Sequence, residues 1–442
     1  MDCIVYPVSG LQGSINLQGD KSLSHRALLL GAMAKGTSEI ENFLLAGVTK
    51  PMLNAMEQFG ISWEMKEKTL IVHGKGLGSW KDAENSLDCG NSATTIRLLA
   101  GAMAANHTSG ILDGSEGLQK RPMDRIVEPM QIMGIQIHST AGHAPLILQR
   151  SPFPIRGIEY ELPVASAQVK TCLILSALAA DSPSQLVEPG PSRDHTERML
   201  NAMGAHILSE SEVENYQKKY CITVMPLKDE LKPLRMNLPG DISSAAFFIV
   251  AGLISPHSQI KISQIGLNPR RAGLIEVLQK MGAEYSIQNQ NEQGGETVGD
   301  LVVNASNLEA TQVNGEVVVC MIDEFPIFGV AAAFARGETI VSQAEELRYK
   351  ESDRITMLCE ELTKMGVDVT EQADGFRIKG NGKVSGGEVC SHGDHRLAMA
   401  LMVAGLAAEN PVCVHGAEVV NESLPEFIPL MRSLGAEITC RD

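Results

Sequence analysis

The sequence predicts an α/β protein of two globular lobes, and the main evidence is a pattern that recurs six times along the chain. Each copy has an amphipathic helix that ends in a bulky residue and a glycine, followed by a short segment with strand propensity. A glycine at this place allows the positive φ with which many helices end. The glycines recur every 69 to 84 residues, at Gly60, Gly134, Gly204, Gly282, Gly366 and Gly435. Six such endings at nearly constant spacing indicate a repeat architecture.

A second similarity divides the six repeats into two groups of three. The segment INLQGDKSLSHRALLL (15–30) resembles MNLPGDISSAAFFIV (236–250), because both have a strand, a Gly-Asp turn and a serine-rich helix start. We interpret these segments as the crossovers between lobes. The first lobe is then expected to span residues 20–240, and the second to combine residues 1–19 with residues 241–442. A ligand cleft is expected between the two lobes, since small-molecule sites often form at domain boundaries.

Composition and charge exclude several classes of function. The chain has 442 residues and a formal net charge of −16, which disfavours binding to nucleic acid or to an anionic membrane. Apolar stretches such as Ala245–Ile254 are far shorter than the roughly 20 residues of a membrane span, and no signal peptide is visible. The nine cysteines are scattered and form no CxxC pair, which predicts reduced thiols in a cytoplasmic protein. We expect a monomer.

Two other signals do not carry a function. The glycine-rich segment at 73–78 (HGKGLG) follows a strand but does not lead into an apolar helix, as a dinucleotide-binding turn would require. His392, Asp394 and His395 could be metal ligands, but no further cysteine or histidine cluster supports them. We therefore expect neither a metal nor an organic cofactor.

Clusters of cations at helix starts are the main functional signal in this acidic chain. Helix N-termini present unpaired backbone N–H groups and a positive dipole end, which suit phosphate or carboxylate ligands. Each cluster alone could also be an ordinary capped helix or a solvated, salt-bridged helix face. The five clusters are GDKSLSHR (19–26), DCGNSATTIR (88–97), QKRPM (119–123), RYKESDR (348–354) and GDHR (393–396).

Eight motifs, in order, resemble those of the 5-enolpyruvylshikimate-3-phosphate (EPSP) synthase family, the 3-phosphoshikimate 1-carboxyvinyltransferases of aromatic amino-acid biosynthesis. The resemblance runs from about residue 8 to residue 435, and its motifs read GDKSLSHRALLL, LDCGNSATTIRLLAG, LQKRPM, PVASAQVK, PSRDHTERM, IDEFP, LRYKESDR and GDHRLAMA. The resemblance implies two lobes of three βαβαββ units each, in agreement with the repeats. It also implies transfer of the enolpyruvyl group of phosphoenolpyruvate to the 5-hydroxyl of shikimate 3-phosphate, through a tetrahedral adduct that loses phosphate, without metal or cofactor.

The resemblance further implies roles for individual residues. Shikimate 3-phosphate would be bound by Lys21, Ser22, Arg26, Ser166, Gln168, Arg193, Asp323 and Lys350. Phosphoenolpyruvate would be held by Lys21, Asn91, Ala93, Arg121, Gln168, Arg354 and Arg396. Asp323 is expected to be the base for the hydroxyl, and Glu351 and Lys21 are the candidates for proton transfer to and from the methylene carbon. The division of these roles stays open, because closely packed Lys and Glu groups titrate together.

Three residues depart from the pattern common in the family. Ala93 stands where many relatives have glycine. In having a methyl group at this position, the sequence resembles the glyphosate-insensitive class of the family. We therefore expect the protein to bind the inhibitor glyphosate weakly. Glu422 replaces a lysine that contacts phosphoenolpyruvate in some relatives, and Val48 replaces one of a pair of acids.

Two alternative functions were considered. A UDP-N-acetylglucosamine enolpyruvyl transferase would share the fold and the chemistry, but that family has a Lys-Asn pair near its N-terminus and a loop with a reactive cysteine. Here the pair is Lys21-Ser22, and the corresponding loop GSEGLQKRPM contains no cysteine. A non-catalytic relative that only binds shikimate 3-phosphate would be expected to lack an acid or a base, whereas Asp323, Glu351 and Lys21 are all present.

Overall fold

The computed structural model describes residues 1–214 and 217–441 and divides them into two compact units. The first unit contains Gly19–Leu238 and Glu292–Glu296, and the second contains Met1–Gln18, Pro239–Asn291 and the chain from Thr297 onward. The lobe bounds expected from the sequence, 20–240 and 1–19 with 241–442, also take in residues 215, 216 and 442. These three lie outside the described ranges, and the predicted bounds stay a prediction.

The chain begins with two strands of the second unit and then builds the first unit. The two strands are β1 (Asp2–Tyr6) and β2 (Gln12–Asn16). The elements of the first unit are α1 (Lys21–Met33), β3 (Lys35–Glu41), α2 (Lys50–Gln58), β4 (Ser62–Lys66), β5 (Thr69–Lys75), β6 (Leu87–Asp88), α3 (Ala93–Ala105), β7 (Gly110–Asp113), α4 (Glu116–Gln119), α5 (Asp124–Ile132), β8 (Gln136–Thr140), β9 (His143–Gln149), β10 (Glu159–Glu161), α6 (Ala167–Ala177), β11 (Ser184–Glu188), α7 (His195–Ala202), β12 (Ile207–Glu214), β13 (Gln217–Val224) and β14 (Arg235–Asn237).

The rest of the chain completes the second unit. Its elements are α8 (Ile242–Ile254), β15 (Gln259–Gly266), α9 (Gly273–Lys280), β16 (Tyr285–Gln293), β17 (Glu296–Asn304), β18 (Gln312–Val313), α10 (Glu316–Cys320), α11 (Phe325–Phe334), β19 (Arg336–Val341), the 3₁₀ helix Glu345–Tyr349, α12 (Arg354–Lys364), β20 (Asp368–Gln372), β21 (Gly375–Asn381), β22 (Gly387–Cys390), α13 (His395–Ala407), β23 (Val412–His415), the 3₁₀ helix Ala417–Glu422, α14 (Phe427–Ser433) and β24 (Glu437–Arg441).

Six four-stranded sheets share one plan. The strand orders are β14-β3-β5-β4, β6-β7-β9-β8 and β10-β11-β13-β12 in the first unit, and β2-β15-β17-β16, β18-β19-β21-β20 and β22-β23-β1-β24 in the second. In every order the first two strands are parallel and the third is antiparallel to the second. The predicted α/β fold, with three βαβαββ repeats in each of two groups, is confirmed.

The six glycines that revealed the repeats have the backbone conformation expected of them. Their φ angles lie between 77° and 107°, a region that side chains with a Cβ rarely adopt. Each follows one of the helices α2, α5, α7, α9, α12 and α14, and each precedes a strand. The glycines therefore end the outer helix of every repeat and direct the chain back into a sheet.

Three helices in each unit are buried on nearly every side. They are α1, α3 and α6 in the first unit and α8, α11 and α13 in the second. In α1, for example, 12 of the 13 residues are buried. Such helices are apolar all round rather than amphipathic, as the stretch AAFFIVAGLI in α8 shows. Their charged residues lie within their first two turns.

The expectation that all nine cysteines are reduced is wrong for two of them. Cys3 and Cys440 form a disulfide, because β1 and β24 pair so that these two residues lie directly opposite each other with their Cα atoms 4.1 Å apart. Their separation of 437 positions hides this pairing from inspection of the sequence. Among the described residues, the other seven cysteines form no disulfide. Within the described ranges, no helix has both the length and the apolar character needed to cross a bilayer.

Candidate active site

The residues expected to bind substrate lie at or near the N-terminal ends of helices, most of them the buried ones. In the first unit, the side chains of Asp20, Ser92 and Ser166 cap α1, α3 and α6 by accepting hydrogen bonds from backbone N–H groups of the first turn. In the second unit, Asp241 and Asp394 cap α8 and α13 in the same way. The helix starts predicted in the clusters 19–26, 88–97 and 393–396 therefore carry side-chain caps, whereas α5, which follows the cluster 119–123, has none.

One cluster in the first unit joins α1 to the start of α7. The Arg26 guanidinium is buried, and it donates from Nε to Thr196 Oγ1 at 2.8 Å and from Nη2 to Thr171 Oγ1 at 2.9 Å. Its Nη1 donates to the Ser22 carbonyl oxygen, while Arg193 Nη1 donates to Ser22 Oγ at 3.2 Å. The structure thus brings together three of the residues expected to bind shikimate 3-phosphate.

A second cluster in the first unit joins α3 to α6. Gln168 accepts from Arg97 Nη1 at 2.6 Å and donates to Thr94 Oγ1 at 2.9 Å, so both ends of its amide are fixed. Arg97 Nη2 also donates to the carbonyl oxygen of Pro122, the residue after Arg121. Arg97 therefore links Gln168 to the segment that carries Arg121, and the sequence analysis did not single it out.

The other predicted residues of the first unit surround these clusters. Lys21 is the first residue of α1 and is half-buried, and Ala93 is the buried first residue of α3. Asn91 is exposed, and its Oδ1 accepts from Ser115 Oγ at 3.1 Å. The Arg121 carbonyl oxygen accepts a hydrogen bond from His143 Nδ1 at 3.0 Å. Ser166 is half-buried and caps α6, one turn before the buried Lys170.

The second unit concentrates carboxylates around one buried guanidinium. Arg354, the first residue of α12, is 2% exposed and donates to Asp394 Oδ2 and Glu351 Oε2, each at 2.7 Å. Asp323 Oδ1 lies 3.6 Å from Arg354 Nη1 and 3.5 Å from Lys350 Nζ. Arg396, in the first turn of α13, donates to the Asp323 carbonyl oxygen at 3.2 Å. The structure thus places Asp323, Lys350, Glu351, Arg354 and Arg396 in one network.

Burial and charge together determine the ionisation of this network. Burial disfavours the charged form of Arg354, but Asp394 and Glu351 outweigh that effect and raise the pKa of the guanidinium. Burial likewise disfavours ionised Asp394, whereas the Arg354 charge lowers the pKa of this carboxyl below its usual value. The pair is therefore ionised at neutral pH, and it fixes the start of α12 to the start of α13.

The segment 392–395, whose side chains could include metal ligands, makes other contacts. Asp394 caps α13 and pairs with Arg354, as described above. His392 Nε2 lies 2.6 Å from Glu361 Oε1, and the same oxygen accepts from Lys364 Nζ at 2.7 Å. Glu360 brings a third ligand atom near this pair. Because Lys364 already occupies the buried Glu361 carboxylate, the arrangement is better suited to an ion-pair network than to a cation.

A buried lysine supports the segment that carries Arg193. Lys170 Nζ lies 2.9 Å from Glu188 Oε1 and 2.8 Å from Glu197 Oε1, and all three side chains are almost completely buried. Lys170 also donates to the Ser192 carbonyl oxygen at 3.3 Å. These contacts hold together α6, the end of β11 and the start of α7. The motif PVASAQVK contains this lysine, but nothing in its spacing indicated a buried partner.

His25 gives the first unit a pH dependence. The ring is completely buried, with Nδ1 2.8 Å from the Lys21 carbonyl oxygen and Nε2 2.9 Å from the Val48 carbonyl oxygen. Burial disfavours the imidazolium more than the two carbonyl oxygens favour it, and the pKa of His25 falls to about 4. Because an unfolded histidine titrates near pH 6.5, the unfolded chain takes up this proton first on acidification.

We expect His25 to cost the protein stability as the pH falls from about 6.5 through 4. Between pH 7 and pH 4.5 this linkage removes about 2 to 3 kcal/mol of the free energy of unfolding. Urea unfolding at both pH values should show that His25→Gln loses correspondingly less than the wild type. The exposed His206→Gln variant is the matched control and should follow the wild type. An equal loss in wild type and His25→Gln would contradict the assignment.

Comparison with known proteins agrees with this arrangement. A family model described as EPSP synthase (3-phosphoshikimate 1-carboxyvinyltransferase) matches residues 5–431. The 3-phosphoshikimate 1-carboxyvinyltransferase of Syntrophomonas wolfei is 46% identical over 427 residues, 96% of this chain and 97% of that protein. The enzyme of the same description from Thermodesulfovibrio yellowstonii is 44% identical over 437 residues, 98% of this chain and 100% of that protein.

A solved structure extends the similarity to three dimensions. The EPSP synthase of Acinetobacter baumannii matches with a TM-score of 0.86 and 37% sequence identity, over 99% of this chain and all of that one. Sequence, fold and family model thus agree over nearly the whole length. The chain belongs to the EPSP synthase (3-phosphoshikimate 1-carboxyvinyltransferase) family.

Proposed function

We propose that this protein transfers the enolpyruvyl group of phosphoenolpyruvate to the 5-hydroxyl of shikimate 3-phosphate and releases phosphate. The observation that carries the proposal is the concentration of arginines and lysines at the N-terminal ends of helices in both units. Both substrates are anions, and an arginine can bind carboxylate or phosphate oxygens through two parallel hydrogen bonds. Membership of the family supports the same conclusion, as does sequence identity of 46% and 44%, over nearly the full length, to two enzymes of this activity.

The cluster around Arg26 is the proposed core of the shikimate 3-phosphate site. The side chain of Arg26 is held by Thr171 and Thr196 and by the Ser22 carbonyl oxygen, and Arg193 is held to α1 by Ser22 Oγ. The full proposed set is Lys21, Ser22, Arg26, Ser166, Gln168, Arg193, Asp323 and Lys350. For phosphoenolpyruvate, the proposed set is Lys21, Asn91, Ala93, Arg121, Gln168, Arg354 and Arg396.

The chemistry is assigned to groups within the proposed site. Asp323 removes the proton of the 5-hydroxyl, whose oxygen then attacks C2 of phosphoenolpyruvate. A proton from Lys21 or Glu351 is added to C3, which gives a tetrahedral adduct. The adduct then returns a proton from C3 to the group that donated it, the electron pair of that bond forms the C2–C3 double bond, and the bond between C2 and the phosphate oxygen breaks so that inorganic phosphate leaves. Asp323 suits the first step, because Lys350 and Arg354 stabilise its carboxylate and its side chain is 18% exposed.

Release of inorganic phosphate tests the proposal directly. We expect release only when phosphoenolpyruvate and shikimate 3-phosphate are both present. UDP-N-acetylglucosamine in place of shikimate 3-phosphate should give none. Binding of shikimate 3-phosphate without any release of phosphate would contradict the proposal and identify a non-catalytic binding protein. We also propose that the protein acts as a monomer in the cytoplasm, and sedimentation in solution tests its oligomeric state.

We further propose that the protein belongs to the glyphosate-insensitive class, because of the methyl group of Ala93. This side chain is 4% exposed at the start of α3, next to Thr94, which bonds Gln168. A single methyl group in a substrate pocket discriminates between ligands by about 10- to 200-fold. We therefore expect Ala93→Gly to lower the half-inhibitory glyphosate concentration by at least about tenfold, with a smaller change in the KM of phosphoenolpyruvate.

Ala104→Gly is the matched control for this experiment. It makes the same substitution at a buried position near the other end of α3, so it reports the cost of glycine in the helix, about 0.5 to 1 kcal/mol. Its glyphosate sensitivity should equal that of the wild type. If Ala93→Gly and the wild type are inhibited equally, the assignment to the insensitive class is wrong.

A further inference from the structure

The second unit contains a buried polar chain that ends at Arg396 and includes residues without an assigned role. Ser243, in the first turn of α8, donates a very short hydrogen bond to Glu324 Oε1. The same hydroxyl accepts from Arg271 Nη2 at 2.7 Å, and Arg271 also pairs with Asp241 at 3.0 Å. Glu324 Oε1 in turn lies 3.9 Å from Arg396 Nη1. All five side chains belong to residues that are at most 6% exposed.

The donors and acceptors of this chain have a fixed direction. A guanidinium can only donate, so the bond from Arg271 fills an acceptor position of the Ser243 hydroxyl. The single hydroxyl proton of Ser243 is then left for Glu324, whose carboxylate accepts it. Such a chain strengthens each of its bonds, and it orients the Glu324 carboxylate without any mobile exposed group.

Glu324 lies close enough to Arg396 to attract it but too far away to form a hydrogen bond with it. At 3.9 Å the ion pair is beyond hydrogen-bond distance, so Glu324 attracts the guanidinium without using its N–H donors. The donors of Arg396 thereby remain suited to the oxygens of a ligand. The same Nη1 donates to the carbonyl oxygen of Asp323, the residue before Glu324. Residues 323 and 324 therefore both contribute to fixing the position of the Arg396 guanidinium.

Glu324 is also a buried carboxylate with an unused oxygen. Among the described residues, no group donates a hydrogen bond to its Oε2. A buried carboxylate oxygen without a hydrogen-bond partner costs free energy of folding. The attraction between this carboxylate and the Arg396 guanidinium offsets part of that cost. The formal charges of Asp241 and Glu324 balance those of Arg271 and Arg396, so this buried polar chain has no formal net charge.

We propose that Glu324 is a positioning residue for phosphoenolpyruvate: it orients Arg396, and Ser243 and Arg271 orient Glu324. The inference rests on the proposed function, in which Arg396 binds phosphoenolpyruvate. Arg396 is not in the set proposed for shikimate 3-phosphate. A defect in Glu324 should therefore affect one substrate and spare the other.

Steady-state kinetics with each substrate varied separately tests the proposal. For Glu324→Gln we expect the KM of phosphoenolpyruvate to rise by about tenfold, since coupling between neighbouring charged groups is commonly of this size. The KM of shikimate 3-phosphate should stay within about twofold. Ser243→Ala should give a smaller rise for phosphoenolpyruvate alone, and Glu324→Asp should recover part of the loss. In the double variant the effect of Ser243→Ala should largely disappear, because Ser243 acts through Glu324.

Asp300→Asn is the matched control. Asp300 is another buried acid of the second unit, and its partners Lys261, Gln264 and Asn289 lie outside the polar chain. This variant should lower the melting temperature without changing either KM. Equal rises of both KM values in Glu324→Gln, or fully additive effects of Glu324→Gln and Ser243→Ala, would overturn the proposal. Absence of phosphate release by the wild type would instead refute the proposed function, and the positioning role with it.

Discussion

Replacement of Asp323 by asparagine should lower kcat by about a thousandfold, the usual contribution of a general base. The amide has nearly the same size as the carboxylate but cannot accept the proton of the 5-hydroxyl. Asp323 lies two residues before the start of α11 and is partly exposed, with its carboxylate near Lys350 and Arg354. Phosphate release under saturating concentrations of both substrates measures the loss.

Two further measurements separate loss of the base from other effects of this substitution. Titration with shikimate 3-phosphate should show that Asp323→Asn still binds this substrate, because most of the proposed binding groups are intact. Asp368→Asn makes the same change at an exposed position of β20 and should keep kcat within about twofold. A loss of less than about tenfold in Asp323→Asn, with substrate binding intact, would show that another group is the base.

The largest effect on stability is expected for Lys170→Met. The substitution leaves Glu188 and Glu197 buried without their shared cation, and breaking a buried ion pair in this way costs about 3 to 5 kcal/mol. Denaturant unfolding followed by circular dichroism measures the change. The loss should fall on the first unit, because Lys170 and both glutamates belong to it.

Two comparisons test the cause of that loss. Lys280→Met removes an exposed cation whose pair with Glu276 contributes at most about 1 kcal/mol, so its stability should hardly change. Combining Lys170→Met with Glu188→Gln and Glu197→Gln should restore part of the stability, since no buried charge is then left uncompensated. A loss below about 1 kcal/mol in Lys170→Met would contradict the role assigned to this lysine.

The parts of the fold that depend on local chemistry could be predicted from the sequence. A glycine after an amphipathic helix identifies its own positive φ, and all six predicted glycines have it. The motif beginning at Asp20 predicts a capped helix, and Asp20 accepts the hydrogen bond that defines the cap. Repeats spaced by 69 to 84 residues then gave the number of sheets in each group.

The parts that depend on distant partners could not be predicted in this way. Glu324 meets Ser243, 81 positions earlier, only because the first turns of α8 and α11 meet. One signal could have indicated the role of Ser243, namely the similarity between GDKSLSHR and GDISSAAF. In both segments the serine two positions after the aspartate accepts a hydrogen bond from an arginine, Arg193 for Ser22 and Arg271 for Ser243.

The strand order β22-β23-β1-β24 has a consequence for synthesis of the chain. On the ribosome, the first unit has all of its sheet strands once β14 has emerged. By contrast, β1 is an inner strand whose two neighbours are made about 400 residues later. At a synthesis rate of about 5 to 20 residues per second, β1 is without its two neighbouring strands for roughly 20 to 80 seconds. During this time both of its edges can pair with other strands. Strand β1, which is made before every other strand of these six sheets, is therefore among the last to reach its native partners.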